Sequence, residues 1–273
     1  CSLPVPVVTN SARNVLWTFP NVVNSASDAG VEQMSWQITA VVANVAAASN
    51  GAALTNQMDA DGVVVTAAAV NVREPTLELT TSLPAGPVDA SDTVTVSVRM
   101  QETAGGVATA HDVRATLTLP TDLAYAANIG GTCAAPTVST GGQDVNFDFT
   151  SLANASDCTF TFDTTVAAGV TIGGTLTLPS VLTWTSRAGD VTTTQSTFSA
   201  VAVERTGDTA DPGAAQNDYR DTDSDSIGVQ DVSVTKTLVG GARDVRIGDL
   251  VSYTVTVEVP EGNSASIAVQ DTL

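Results

Sequence analysis

The chain has one histidine, His111, one lysine, Lys236, and three cysteines, Cys1, Cys133 and Cys158, in 273 residues. A single imidazole leaves a Ser-His-Asp triad with one candidate base and rules out a multi-histidine metal site. His111 stands beside Asp112 after a Gly-containing loop, at what reads as a strand start, where an exposed or turn-satisfying role fits it. No Gly-rich phosphate loop leads into a helix pattern, and no Gly-x-Ser-x-Gly elbow occurs. Carboxylate pairs are so common here that none points to catalysis, and the chain reads as a non-enzyme. Basic residues are also scarce: 10 against 29 acidic ones, for a formal charge of −19. That field repels phosphate backbones and anionic lipid, which argues against nucleic acid as a partner. No apolar run reaches the roughly 18 residues of a membrane-spanning helix, so no membrane insertion is expected in this chain. The opening Cys1-Ser2-Leu3-Pro4 lacks both Met and a basic n-region, so it reads as neither a signal peptide nor a primary translation start. A processed lipoprotein would expose such a cysteine.

Aromatics make up only 4% of the chain, and its apolar 43% is mostly Val, Ala and Leu, accompanied by abundant Thr. Branched Cβ atoms suit a pleated, half-buried surface better than a helix. Period-two alternation recurs in Val94, Val96, Val98 and Met100, in Phe147 and Phe149, in Phe160 and Phe162, and in Val251, Tyr253, Val255, Val257 and Val259. Each row puts its apolar members on one face of a strand. Turn signals such as Pro84-Ala85-Gly86-Pro87, Gly141-Gly142 and Gly240-Gly241 fall between the rows. Short alternating strands at this spacing mean an all-β fold of sandwich type. Ile38 to Ala48 is alanine-rich, but its β-branched residues favour a strand. Trp17, Trp36 and Trp184 lie in strand patterns and read as core residues.

The chain also repeats itself. Leu77-Glu-Leu-Thr-Thr-Ser-Leu83 and Val88-Asp-Ala-Ser-Asp-Thr-Val-Thr-Val-Ser-Val98 match a later stretch, Val232-Ser-Val-Thr-Lys-Thr-Leu238 and Val245-Arg-Ile-Gly-Asp-Leu-Val-Ser-Tyr-Thr-Val255. Asp92 falls on Asp249. In a second correspondence Cys1 falls on Cys133, Trp17-Thr-Phe19 on Phe147-Asp-Phe149, and Met34-Ser-Trp36 on Phe160-Thr-Phe162. Residues 74–228 therefore read as a complete module with an acidic linker at its end. Residues 1–73 read as the C-terminal half of a preceding module, and residues 229–273 as the N-terminal half of a following one. An isolated half-sandwich exposes apolar faces and unpaired edges. Such halves suggest either a window on a longer repetitive chain or halves that complete each other between copies.

The stretch from Val232-Ser-Val-Thr-Lys-Thr-Leu through Ile247-Gly-Asp-Leu-Val-Ser-Tyr-Thr-Val to Ala268-Val-Gln-Asp-Thr-Leu resembles the DUF11 repeat of large prokaryotic surface proteins. Residues 74–228 resemble a divergent member, with Val88-Asp-Ala-Ser-Asp-Thr-Val94 and Thr109-Ala-His-Asp-Val113 before Leu119-Pro120. The resemblance implies tandem immunoglobulin-like β-sandwich modules on an extracellular surface, and it specifies a scaffold rather than a chemistry. Some surface immunoglobulin-like domains crosslink a first-strand Lys to a last-strand Asn; Lys236 is a first-strand Lys, while its counterpart in the middle module is Thr81.

Several residues are candidate sites. Cys133 and Cys158 are close enough in sequence to pair in an oxidising compartment, or to stay as buried thiols. Cys1 has no partner within the chain. Asp208, Asp211, Asp218, Asp221, Asp223 and Asp225 form the densest acidic run. Alternating aspartates on a loop can converge hard oxygens on calcium and stiffen a module junction, or simply solvate a linker. Asn154-Ala-Ser156 is an N-glycosylation sequon. The reading is a structural repeat module of a stalk, sheath or filament, whose partners are other copies or repeats of the same protein. The alternative is an adhesin module binding a surface ligand or glycan.

Overall fold

A computed structural model describes residues 5–11, 14–23, 25, 27, 29–31, 33, 35–103, 107–189, 204–207 and 218–272. The chain divides into two units, residues 1–41 and 42–273, each described by itself. In the first, β1 (Val7–Ser11) and β2 (Asn14–Thr18) form an antiparallel hairpin. The second begins with four short strands: β3 (Ala53–Leu54), β4 (Gln57–Ala60), β5 (Val63–Thr66) and β6 (Val70–Asn71). Among the described residues they pair two by two, β3 with β6 and β4 with β5.

A sandwich follows, built from β7 (Leu77–Ser82), β8 (Thr93–Glu102), β9 (Ala110–Thr118), β10 (Leu123–Gly131), β11 (Thr137–Gly141), β12 (Asp144–Leu152), β13 (Asp157–Val166), β14 (Thr175–Thr185) and β15 (Arg220–Gly228). One sheet has the order β10-β13-β8-β7 and the facing sheet β11-β12-β9-β14-β15, antiparallel throughout. The chain crosses between sheets after β8, β9, β10, β12 and β13, which is the Greek-key wiring of an immunoglobulin-like fold. The fold is all-β. Beyond the sandwich, β16 (Ser233–Leu238) and β17 (Tyr253–Glu258) pair, among the described residues, only with each other.

The period-two rows are what the core is made of. Val94, Val96, Val98 and Met100 of β8 are fully buried and face Val113, Ala115 and Leu117 of β9. Their Thr and Ser neighbours point outward because successive strand side chains alternate. Phe147 packs against Phe160 and Phe162, with ring centroids 4.7 and 4.8 Å apart, and Phe149 meets Phe160 at 5.4 Å. Four of the chain's six phenylalanines thus form one cluster between the sheets. Such ring pairs add about 0.5–1.5 kcal/mol each beyond the area they bury.

Cys133 and Cys158 are joined by a disulfide, Cα to Cα 4.9 Å. Gly131 makes the approach possible. It holds φ +112°, and a Cβ there would lie 2.2 Å from the Thr159 carbonyl. The main chain beside it closes through Thr132 N–H and Cys133 N–H, both donating to that same carbonyl.

The repeat is visible in strand register. β7 and β8 pair Thr81 with Val98, and β16 and β17 pair their counterparts Lys236 and Val255. Asp92 accepts from the Asp89 amide at 3.0 Å, and Asp249 accepts from the Arg246 amide at 2.7 Å, so one turn is built twice. β11 and β12 pair Val138 with Phe147, and β1 and β2 pair Val8 with Trp17.

Three expectations are corrected. The acidic stretch from Asp221 to Asp225 is not linker but part of β15, because alternating residues there turn toward the neighbouring sheet. Ile38 to Ala48 forms no strand; residues 44–48 make bends and turns whose carbonyls serve a buried arginine. Trp184 is buried, but Trp36 is 38% exposed, with Trp17 and Phe19 as its aromatic neighbours. Where an unpartnered half-module exposes an apolar face, the row of Val251, Tyr253, Val255 and Val257 faces solvent, whereas its counterparts Val94, Val96, Val98 and Met100 in β8 are core.

Replacing Cys133 and Cys158 together by Ser is expected to lower stability by about 3 kcal/mol, the loop-closure value for a cross-link of this length. Urea denaturation read on Trp184 fluorescence measures it, and an unchanged midpoint would remove the disulfide from the list of stabilising features.

Candidate functional site

The acidic run seals one side of the sandwich. β7 and β15 are the edge strands of the two facing sheets, and they run parallel. Leu79 N–H donates to Asp221 Oδ2 at 2.7 Å, Thr81 N–H to Asp223 Oδ2 at 2.6 Å, and Leu83 N–H to Asp225 Oδ2 at 2.8 Å. Every second residue on each strand takes part, so the carboxylates stand where carbonyls of a paired strand would stand. Below them the main chains meet directly: Val88 N–H donates to the Gly228 carbonyl and Gln230 N–H to the Val88 carbonyl. Ser180 donates to the Asp223 carbonyl and shares a 2.6 Å hydrogen bond with Thr81. Hydrogen bonds to a charged acceptor are worth about 1.5–3 kcal/mol, more than neutral ones.

This arrangement corrects the calcium expectation for Asp221, Asp223 and Asp225. Their inward oxygens face amide hydrogens, which carry the positive end of a dipole where a cation would have to sit. Asp218 is exposed just before β15, and Asp208 and Asp211 lie outside the described residues. Among the described residues, no three His, Cys, Asp or Glu side chains are grouped to hold a metal.

A second cluster, which sequence reasoning missed, lies where residues 43–50 meet the sandwich. The Arg205 guanidinium is buried and paired with Glu74. Its Nε also donates to Asn44 Oδ1 at 3.0 Å, and one terminal nitrogen donates to the Val45 and Ala48 carbonyls at 3.3 Å. Glu74 accepts further from Tyr219 Oη at 2.9 Å and from the Asn50 amide at 2.6 Å. Burial, with the Glu74 charge adding to it, pushes the Tyr219 phenol far above its ordinary range. The Tyr219 ring stacks on Trp184 at 5.6 Å. Two long-separated charges in unremarkable sequence gave no signal beyond the oddity of Arg205 beside β-forming residues.

The remaining candidates are placed as follows. His111 is half-buried, second residue of β9, opposite Ser151 of β12. Lys236 donates to Asp271 at 2.6 Å and lies 4.3 Å over the Tyr253 ring. Asn154 is exposed in the turn between β12 and β13. Cys1 lies outside the described residues. Among the described residues, no helix is long and apolar enough to cross a membrane.

No family model matches the chain, and no curated protein matches it. Solved structures give partial likenesses. The full-length major pilin SpaD from Corynebacterium diphtheriae is 9% identical at TM-score 0.36, over 59% of this chain and 36% of the pilin. A D312A form of BcpA, the major pilin subunit of Bacillus cereus, is 13% identical at TM-score 0.37, over 77% of this chain and 64% of the pilin. AvmM, which catalyses macrocyclisation in alchivemycin A biosynthesis, is 10% identical at TM-score 0.34, over 64% of this chain and 96% of that one. The chain thus spans between about a third and two thirds of the length of these pilins. At TM-scores below 0.5 the likenesses do not extend to the arrangement of the whole chain, and what these proteins do is said of them alone.

Two substitutions test the two clusters. Asp223→Ala leaves the Thr81 amide without its acceptor and is expected to cost about 1–3 kcal/mol in urea denaturation, with Asp223→Asn costing less because it keeps an oxygen. Arg205→Ala strands the Glu74 carboxylate and is expected to cost about 3–5 kcal/mol. It should also open residues 43–50 to limited proteolysis; an unaltered digestion pattern would deny the clamp.

Proposed function

We propose that the chain is a structural, non-enzymatic module of an extracellular surface protein, serving in a stalk, sheath or filament. The observation that carries this reading is the contrast between equivalent strands. Val94, Val96, Val98 and Met100 are at 0% exposure inside the sandwich, while Val251, Tyr253, Val255 and Val257 stand at 36–47%. The two rows share pairing register and the preceding turn, so the second is a sandwich face prepared for facing strands. A soluble protein rarely leaves a contiguous apolar row of this kind uncovered. The facing strands are those of a like module, and partners are other copies or repeats of the same protein. The resemblance of residues 232–273 to DUF11 repeats is in keeping with this, as is an acidic surface that favours solubility outside the cell.

In its finer form, the proposal has residues 229–273 of one copy completed by residues 1–73 of another. The support is that β1 and β2 share the register of β11 and β12, and that Val7, Val8, Val15 and Leu16 on them are exposed. Light scattering and negative-stain microscopy across a concentration series test it. Wild type is expected to form end-to-end assemblies, strengthened by salt that screens the charge of −19. Val255→Asp, with Asp now on the apolar row, is expected to abolish them while leaving the sandwich folded. A wild type that stays monomeric at all concentrations would refute completion between copies.

A further inference from the structure

The strand pair β16–β17 is attached to the sandwich at two places. The first is the connector that leaves β15. Val229 N–H donates to the Gly174 carbonyl at 2.8 Å, Gln230 N–H to the Val88 carbonyl at 2.7 Å, and Gly173 N–H to the Gln230 carbonyl at 3.0 Å. The second is the turn that follows β17. Asn263 N–H donates to the Val170 carbonyl at 2.8 Å, Ile172 N–H to the Asn263 carbonyl at 3.0 Å, and Ala90 N–H to the Glu261 carbonyl at 3.3 Å. Thr171 and Asn263 thereby form one step of a parallel ladder.

The loop that receives the turn is itself held in place. Val170 is 1% exposed in the sandwich core, and its amide donates to the Ala167 carbonyl at 3.1 Å. Gly262 lets the turn come this close: it holds φ +138°, and a Cβ there would lie 2.8 Å from the Val170 carbonyl oxygen and 3.1 Å from Ile172 Cγ1. The apolar row Val251, Tyr253, Val255 and Val257 of the strand pair is exposed, so the attachment rests chiefly on main-chain hydrogen bonds.

Units joined by a single linker move against each other by default. One attachment leaves a swivel, and a second, made of directional bonds to a different loop, removes it. We propose that residues 261–263 are a lock, engaging loops 88–90 and 170–172, which holds the strand pair at a fixed angle to the sandwich. All of its bonds are made by the main chain, so it depends on the Gly262 backbone and the Asn263 amide and not on the Glu261 charge. A stiff joint of this kind serves a stalk or filament, a use that rests on the structural role proposed above, while the lock itself belongs to the single chain.

The test measures the distance between the two parts in single chains. Nitroxide labels on Thr177→Cys in β14 and Thr256→Cys in β17, both exposed positions, are placed in a Cys1→Ser background. They are read by double electron–electron resonance at a dilution where light scattering shows monomers. With residues 261–263 intact, a single narrow distance peak is expected. Gly262→Val drives a side chain into the Val170 carbonyl, and Asn263→Pro removes the amide donor; each is expected to lose that peak to a broad distribution. Glu261→Gln keeps its carbonyl and should keep the peak. Trp184 fluorescence is expected to report an unchanged sandwich melt in all three. A broad distribution in the intact chain, or a narrow one in both Gly262→Val and Asn263→Pro, overturns the lock. So does a peak that narrows only at concentrations where copies assemble. A narrow peak in a chain that never assembles supports the lock and refutes only completion between copies.

Discussion

Two sheets packed face to face leave a seam along each side, and here one seam is closed by carboxylates. β7 ends one sheet and β15 the other, with edge amides that would otherwise look for a foreign strand. Asp221, Asp223 and Asp225 reach across and take the amides of Leu79, Thr81 and Leu83. The arrangement works only because strand side chains repeat every two residues, which matches three aspartates to three amides in constant step. Part of the chain's acidity is therefore structural: it stands in for a hydrogen-bonded strand pair and keeps the edge from being extended by another chain.

The same physics explains why the flanking segments differ from the centre. β16 and β17 have the alternation, the register and the aspartate-capped turn of β7 and β8. Among the described residues, no second sheet covers them. Without it no apolar side chain on them can be buried, however favourable its local preference, because a two-stranded ribbon has no interior. Burial in a sandwich is a property of paired layers rather than of single strands.

At the upstream end, Arg205 and Glu74 tie together stretches far apart in sequence. A buried ion pair gives little net stability against an apolar replacement, but it is demanding in geometry because each lost partner leaves an uncompensated charge. Such a clamp fixes the orientation of residues 43–50 against the sandwich more than it adds to stability.

How much was legible in the residues follows from the range of each interaction. The all-β class, the buried rows of β8, β12 and β13, and the pairing of Cys133 with Cys158 rest on period-two patterns and on nearby partners. The internal repeat also lay open, and its strand registers agree with it at both ends. The roles of the aspartates did not. An alternating Asp-x-Asp-x-Asp reads equally as a solvated loop, a cation loop or a strand, and only the proximity of β7, some 142 residues away in sequence, makes the carboxylates amide acceptors. Arg205 and Glu74 were likewise silent, since a lone charge says nothing of burial until distant segments close around it. What each strand offers on its two faces follows from residue order, because the pleat sets that alternation. Which of those faces found a partner was set by the folded arrangement, because packing and charge compensation depend on segments that meet after the chain has folded.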